Sequence, residues 1–315
     1  MKRILNRLFQ SVLTMFIVSV ICFALVKLAP GDPVLTYVEP NMSEAYIAQI
    51  RESLGLTKPL YQQYFIWLGN ILHGNFGHSL LNNRPVLDQI LERVPATVLL
   101  MGTSLILSVL IAIPLGLLTG KYKNGIADKI ISLLSYVGIS IPTFWFGILL
   151  IYLFSVHLNL LPSIGMHSDG ISSFGDLVLH LLMPCAVVTF SNVAQFTRYI
   201  RSSTITALSS DYVMVQEAYG MTENGILFRH VLKNAVLPMI TVLGMSLQSV
   251  VSGAIISEQV FAWPGMGQLA VSSVTTFDYP LIMGITMFTA LLIVVGNLLA
   301  DLFYTVADPR IRTGG

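Results

Sequence analysis

Six long stretches of the chain carry no charged residue, and each is about the length of a membrane-spanning helix. A helix needs roughly 20 apolar residues to cross the hydrocarbon core of a bilayer, and only helices and closed barrels satisfy their own backbone hydrogen bonds there. The stretches are residues 8–26, 94–120, 130–156, 177–197, 234–257 and 279–300. This pattern predicts an all-α membrane protein with six transmembrane helices.

Composition excludes several other classes. Of the 315 residues, 54% are hydrophobic and only 10% are charged, whereas about a quarter of the residues in soluble domains are charged. The 17 Lys and Arg residues nearly balance the 16 Asp and Glu residues, so the chain has no basic field for nucleic acid. We therefore expect a multi-pass protein of the cell membrane that contacts lipid and binds no nucleic acid.

Lysine and arginine are concentrated on one side of the predicted spans. Short cytoplasmic loops carry an excess of these residues. They occur before the first span, between spans two and three, between spans four and five, and after the last span: Lys2, Arg3, Arg7, Lys121, Lys123, Lys129, Arg198, Arg201, Arg229, Lys233, Arg310 and Arg312. The connections between spans three and four and between spans five and six carry none. Both termini are predicted to be cytoplasmic.

The same pattern divides the chain into four parts. Residues 1–29 hold the N-terminus and the first span, which we interpret as retained rather than cleaved, and residues 30–93 form an external subdomain. This subdomain is predicted to be helical around residues 43–54 and 60–73. Residues 94–304 form a core with the other five spans and a loop at 198–233, and residues 305–315 form a cytoplasmic tail.

Catalytic chemistry has few candidate residues. The chain contains no His-Glu-x-x-His, Cys-x-x-Cys or Gly-x-Ser-x-Gly motif, and the segment from Gly116 to Lys121 lacks the spacing of a phosphate-binding loop. Gly116 and Gly120 are instead predicted to form a close helix contact. Asp301 is interpreted as the acid near a span, with pairing to Arg310 favoured over a proton relay. We expect a transport subunit that is not an enzyme and binds no cofactor.

The loop at 198–233 has the pattern of a short helix, a sharp turn and a second helix. Apolar residues recur at helical spacing on both sides of Gly220, which can adopt the left-handed backbone that ends a helix. Leu237 and Pro238 follow at the start of the fifth span. This loop is predicted to lie at the membrane surface and to contact a partner.

Motifs along nearly the whole chain resemble those of binding-protein-dependent ABC importer permeases, in the family of peptide and nickel permeases. They are Ala29-Pro30-Gly31-Asp32-Pro33, Leu54-Gly55-Leu56, Pro59-Leu60, Gln63-Tyr64, Phe76-Gly77, Arg84-Pro85-Val86, Ile141-Pro142-Thr143-Phe144-Trp145, Phe261-Ala262-Trp263-Pro264-Gly265-Met266-Gly267, Asp278-Tyr279-Pro280 and Asp308-Pro309-Arg310-Ile311-Arg312. The resemblance implies four kinds of partner: a second, similar permease, two cytoplasmic ABC ATPases, an extracellular substrate-binding protein and membrane lipid.

The resemblance also implies that the loop couples the permease to an ATPase. Its candidate residues are Tyr212, Glu217, Ala218, Gly220, Leu237 and Pro238. Where family members commonly carry Arg-Ala-Lys-Gly, this chain has Glu217-Ala218-Tyr219-Gly220. The small residue and the glycine are kept, so the turn is expected to persist, whereas the charge presented to the ATPase differs.

Two questions remain open at the level of sequence. A stand-alone channel, a secondary carrier and a structural scaffold are the alternatives to an ATP-driven importer. The expected solute is an oligopeptide or dipeptide, with nickel or a metal chelate as the second choice. Five of the six histidines fall in or beside predicted external segments, but their spacing forms no coordination cluster: His73, His78, His157, His167 and His180.

Overall fold

The computed structural model describes residues 2–28, 43, 52, 57–171, 173–236, 239 and 254–307. Within these ranges the regular structure is helical, apart from an isolated bridge between His78 and Pro85. The all-α prediction is therefore confirmed. The predicted helix at 43–54 lies almost wholly outside the described residues, as does most of the apolar stretch 234–257.

Eleven helices are used in the description that follows. They are α1 (Lys2–Leu28), α2 (Leu60–Leu72), α3 (Val86–Lys121), α4 (Ile126–Ser140), α5 (Thr143–Leu150), α6 (Phe174–Leu208), α7 (Asp211–Ala218), α8 (Glu223–Ile226), α9 (Ile255–Val260), α10 (Met266–Thr275) and α11 (Tyr279–Ala307). Two π-helical segments, Ile151–His157 and Leu227–Val231, continue directly from α5 and α8.

Four described helices are long and apolar enough to cross a membrane, at Phe9–Leu28, Val86–Lys121, Phe174–Leu208 and Tyr279–Leu298. A fifth candidate is the bent pair formed by Ile126–Ser140 and Thr143–His157. These segments overlap with five of the six apolar stretches that the sequence predicts as spans.

The third predicted span is not one straight helix. Its two halves, α4 and α5, meet at an angle of 101°. Proline disfavours the α-helical conformation in the residue before it, and Ile141 is accordingly extended, with φ −74° and ψ 124°. Pro142 then precedes the first residue of α5. The prediction of one continuous helix over 130–156 is therefore wrong, since two helices bent against each other occupy this stretch.

The described residues form two compact units. The first comprises Met1–Pro95 and Gln268–Val295, and the second comprises Ala96–Gly267 and Gly296–Gly315. In the first unit, Tyr64 of α2 packs against Phe23 of α1, and its hydroxyl lies 2.7 Å from Ser19 Oγ. Asp278 is fully buried and accepts hydrogen bonds from the Ser79 hydroxyl and from the Leu281 N–H, so it caps the start of α11.

In the second unit, α3 and α6 pack at van der Waals contact through small residues. A Cβ atom added to Gly116 would lie 2.5 Å from the Cβ of Ile200, and one added to Gly120 would lie 2.5 Å from the Cβ of Thr204. Both pairs are spaced four residues apart, so they lie on facing stripes. The close helix contact expected at Gly116 and Gly120 is present.

Gly116→Ala is expected to lower the free energy of unfolding by about 1–3 kcal/mol, because the added methyl group must displace packed atoms. Gly102→Ala is the matched control on the same helix, since no atom lies within 4 Å of its added Cβ. Alanine also favours a helix interior over glycine by about 1 kcal/mol. Thermal unfolding in detergent tests this, and equal midpoints for the two variants would exclude the tight contact.

Candidate functional site

The chain turns sharply after α7. The Gly220 N–H donates to the Glu217 carbonyl at 2.9 Å, and the Met221 N–H donates to the Gln216 carbonyl at 3.1 Å. Gly220 has a φ of +77°. This pair of bonds around a left-handed glycine is a Schellman motif, which satisfies carbonyls at the end of a helix. The turn sets the direction in which the following helix leaves.

The next helix, α8, is fixed by contacts from Thr222, which precedes it, and from Lys121 of α3. Thr222 caps α8 through its hydroxyl, which accepts from the Gly225 N–H at 3.3 Å. Lys121, the last residue of α3, donates to Asn224 Oδ1 at 2.7 Å and lies 3.2 Å from Glu223 Oε2. Because Glu223 is 80% exposed, its ion pair adds little stability. The contacts of Lys121 instead fix the position of α8 relative to α3.

One face of this two-helix segment, residues 211–231, is anchored in the protein interior. Val213, Ile226, Leu227 and Val231 are buried in one apolar cluster. The same cluster contains residues of α3 and α6: Ala112, Leu117, Phe196, Ile200 and Ala207. Because packed interiors transmit strain, a displacement of the two-helix segment also pushes or pulls on α3 and α6.

Other apolar side chains of the two-helix segment are exposed in the described structure. Met214 is 70% exposed and Tyr219 is 83% exposed, and Val215 and Phe228 are also exposed. We call these four residues the exposed patch. Glu217 and Ala218 are exposed beside it. Large apolar side chains grouped on a surface mark interaction sites.

The sequence-predicted site residues divide into three groups. Glu217, Ala218 and Gly220 lie together at the exposed end of α7 and its turn. Tyr212 instead packs against the apolar cluster, and its buried hydroxyl has no hydrogen-bond partner in the described structure. Leu237 and Pro238 lie outside the described residues.

An ion pair between a buried carboxylate and a partly exposed guanidinium fixes the start of α4 to α6. Arg201 donates through Nε to Asp128 Oδ1 at 2.6 Å and through Nη2 to Oδ2 at 2.8 Å. Asp128 also accepts from the Asn124 N–H at 2.8 Å and from the Ser132 hydroxyl at 3.1 Å. The carboxylate thus joins the α3–α4 turn to α6, ten residues before α7 begins.

A second buried acid organises the segment between α9 and α10. Glu258 has no exposed surface, and it accepts from the Thr97 hydroxyl at 2.9 Å and from the Gly267 N–H at 2.7 Å. A Cβ atom on Gly265 would lie within 2.4 Å of the Glu258 Cδ, so this position requires glycine. Trp263, fully buried, donates from Nε1 to the Ala96 carbonyl at 2.8 Å.

Sequence reasoning missed both acids, because it treated Asp301 as the one acid near a span. Asp128 and Glu258 lie at the boundaries of apolar stretches, where an exposed carboxylate would also be ordinary. Their partners are 73 and 161 residues distant in the chain, so no local spacing reveals them. The Trp-Pro-Gly-Met-Gly run after Glu258 does indicate a packed site, since its two glycines allow the backbone to lie close to a neighbouring side chain.

The apolar helices and the bent pair define a multi-pass membrane protein. Comparisons with known proteins identify it further. Residues 112–313 match the family described as "Binding-protein-dependent transport system inner membrane component", and residues 1–101 match the corresponding N-terminal family. The chain belongs to this family of inner-membrane transport components, and the resemblance inferred from its motifs is confirmed.

The relatives share the full length of the chain. The oligopeptide transport system permease protein AppB of Bacillus subtilis is 40% identical over 98% of both chains. The dipeptide transport system permease protein DppB of Escherichia coli K12 is 34% identical over 98% of both chains. A solved structure of the MetNI methionine ABC transporter, in an inward-facing conformation, matches with a TM-score of 0.57 at 15% identity. It covers 70% of this chain and 96% of that one, and it supports the fold alone.

Proposed function

We propose that this chain is the permease subunit of an ATP-driven importer that takes up oligopeptides or dipeptides from an extracellular binding protein. The peptide class is supported by full-length relatives that are named as oligopeptide and dipeptide permeases. A second, similar permease and two cytoplasmic ATPases complete the transporter. The ATPases supply the hydrolysis, and the permease supplies the path.

The observation that carries the coupling part of this proposal is the anchored two-helix segment. Its buried face joins the cluster with α3 and α6, while the exposed patch and Glu217 are free to contact another protein. An ATPase that binds the patch can pull on α7, and the Gly220 turn and the apolar cluster carry this movement to the long helices. Glu217, Ala218 and Gly220 lie at the contact, whereas Tyr212 acts from the interior.

The proposed topology has six spans and two cytoplasmic termini. It is supported by the distribution of Lys and Arg, which places the loop 198–233 on the inside. Asp169 is exposed in the connection before α6, and Ser210 lies just before α7. We expect an impermeant thiol reagent added outside intact cells to label Asp169→Cys and not Ser210→Cys. The reverse pattern would contradict the topology.

Nickel is the alternative solute to be tested. Within the ranges that the structure describes, no group of three or more His, Cys, Asp or Glu residues is arranged to hold a metal ion. His167 and His180 both lie near Asp176, but the Ser168 hydroxyl and N–H occupy its carboxylate at 2.7 and 2.9 Å. The structure therefore offers no specific support for metal contact by these residues.

Uptake by cells that lack the gene tests the solute. We expect deletion to abolish uptake of labelled short peptides, to leave nickel accumulation intact, and to be reversed by the gene on a plasmid. Loss of nickel accumulation with normal peptide uptake would overturn the peptide assignment and favour the metal importer.

A further inference from the structure

A groove of about 700 Å³ runs between α4 and α6 in the second unit. Its α6 wall carries Ser191, Gln195, Arg198 and Ser202, spaced by four, three and four residues. This spacing places the four polar side chains in one stripe along the helix. The α4 wall carries Ser132, Tyr136 and Ile139 at matching intervals. Polar and ionisable side chains on membrane helices usually face a cavity or a solute pathway.

Among the described residues that line the groove, Arg198 is a positive charge without an ion-pair partner. Arg201, which also borders it, is paired with Asp128 through two hydrogen bonds. Arg198 lies over the ring of Tyr136, with 4.9 Å between its Cζ and the ring centroid. Among the described residues, no carboxylate forms an ion pair with Arg198. The ring holds the guanidinium in place without neutralising it, so the Arg198 charge remains available to bind an anionic group of a solute.

The dimensions of the stripe favour a peptide over a lipid headgroup. From Ser191 to Arg198 the helix rises about 10 Å, which is about the length of three residues of an extended peptide. The hydroxyl and amide groups of the stripe can donate to and accept from peptide bonds. A headgroup would occupy only the part of the stripe around Arg198 and would leave Ser191 facing acyl chains.

A second, apolar pocket adjoins the groove at Tyr136. It lies at the break between α4 and α5 and is lined by Pro142, Phe144 and Trp145 among others. Aromatic walls of this kind accept apolar side chains without selecting a particular one. A groove with a fixed cation and a neighbouring aromatic pocket matches a solute with one constant anionic group and variable side chains.

We propose that Arg198 binds the free C-terminal carboxylate of the peptide in transit, and that Gln195 and Ser191 contact its backbone. This inference rests on the proposed peptide function and assigns it a solute-contacting site. Guanidinium pairs with carboxylate through two parallel hydrogen bonds. The permease therefore discriminates for the carboxylate itself, in addition to any selection by the binding protein.

The test compares one labelled peptide in two forms, the free acid and the C-terminal amide. Initial uptake rates are measured in cells that express the complete transporter, with the same binding protein throughout. Any preference of the binding protein then cancels between variants. Arg198→Gln is expected to lower the ratio of acid uptake to amide uptake by about tenfold, the typical effect of losing a charge-assisted hydrogen bond.

Two further variants make the result specific. Lys123→Gln removes a positive charge from the exposed turn between α3 and α4 and is expected to leave the ratio unchanged. Tyr136→Leu keeps Arg198 but removes the ring beneath it, and is expected to lower the ratio about threefold. This variant tests the same geometry if Arg198→Gln fails to assemble.

Three results would overturn the proposal. If the ratio is unchanged in Arg198→Gln and in Tyr136→Leu while both take up peptide, Arg198 does not read the carboxylate, although the peptide function stands. If Arg198→Gln instead reduces copurified anionic phospholipid with no change in the ratio, the groove binds lipid. If the unmodified transporter takes up neither form, the peptide function itself is wrong.

Discussion

Replacement of Gly220 by valine is expected to reduce ATP-driven uptake by the assembled transporter to the level seen without ATP. Gly220 has a φ of +77°, a conformation that costs an L-residue about 1–2 kcal/mol and costs a β-branched one more. Valine can relieve this strain only by leaving the left-handed conformation, which breaks the two Schellman hydrogen bonds of the turn. Because the turn sets the direction of α8, its loss moves the exposed patch relative to the anchored face.

Gly220→Asn is the matched control for this effect. No atom lies within 4 Å of a Cβ added at Gly220, so neither side chain would clash and the two variants differ in backbone strain. Asparagine tolerates the left-handed conformation and is expected to retain most of the uptake. Both variants should be inserted in normal amounts, as measured by immunoblotting of membranes. Equal loss in the two variants, or normal uptake in Gly220→Val, would show that the left-handed turn is not needed for coupling.

Asp128→Ala is expected to lower the free energy of unfolding by about 1–3 kcal/mol, because a carboxylate that accepts charge-assisted hydrogen bonds is lost. The substitution leaves Arg201 without its bidentate partner, and it removes the acceptor of the Asn124 N–H and the Ser132 hydroxyl. The loss includes the cost of leaving the Arg201 charge unpaired, which is limited because 28% of the Arg201 side chain is exposed to solvent, against 4% for Asp128.

A double variant separates this cost from simple loss of contacts. Asp128→Ala combined with Arg201→Met removes both charges and keeps the length of the long side chain, so it is expected to be more stable than Asp128→Ala alone. Lys129→Ala, an exposed neighbour on α4, controls for a change of charge at this end of the helix. Thermal unfolding of the purified proteins measures all three. A double variant less stable than Asp128→Ala would exclude the ion pair as the cause.

Local features of the structure could be predicted from the sequence because they depend on neighbouring residues. Apolar length predicts the spans, and the glycine after a short helix predicts the turn at Gly220. The spacing of Gly116 and Gly120 predicts a helix contact, although not that Ile200 and Thr204 would form its other side. Pro142 itself indicates a break, but the prediction considered only the length of the apolar stretch and therefore missed it.

The remaining features depend on contacts between distant parts of the chain. The pairing of Asp128 with Arg201, and of Glu258 with Thr97, requires the helices to be packed before the partners meet. The polar stripe on α6 is a different case, because its spacing is visible in the sequence. It was missed because the fourth span was ended at residue 197, which divides the stripe between a span and a loop.

Reconstitution tests the central claim most directly. The chain is placed in proteoliposomes with its companion permease and both ATPases, with the binding protein and a labelled short peptide outside and ATP inside. The account predicts peptide accumulation that requires ATP, the ATPases and the binding protein together, and none from this chain alone. Accumulation by the chain alone would instead identify a channel or a secondary carrier, and failure of the complete, ATP-hydrolysing assembly to accumulate any peptide would contradict the peptide importer.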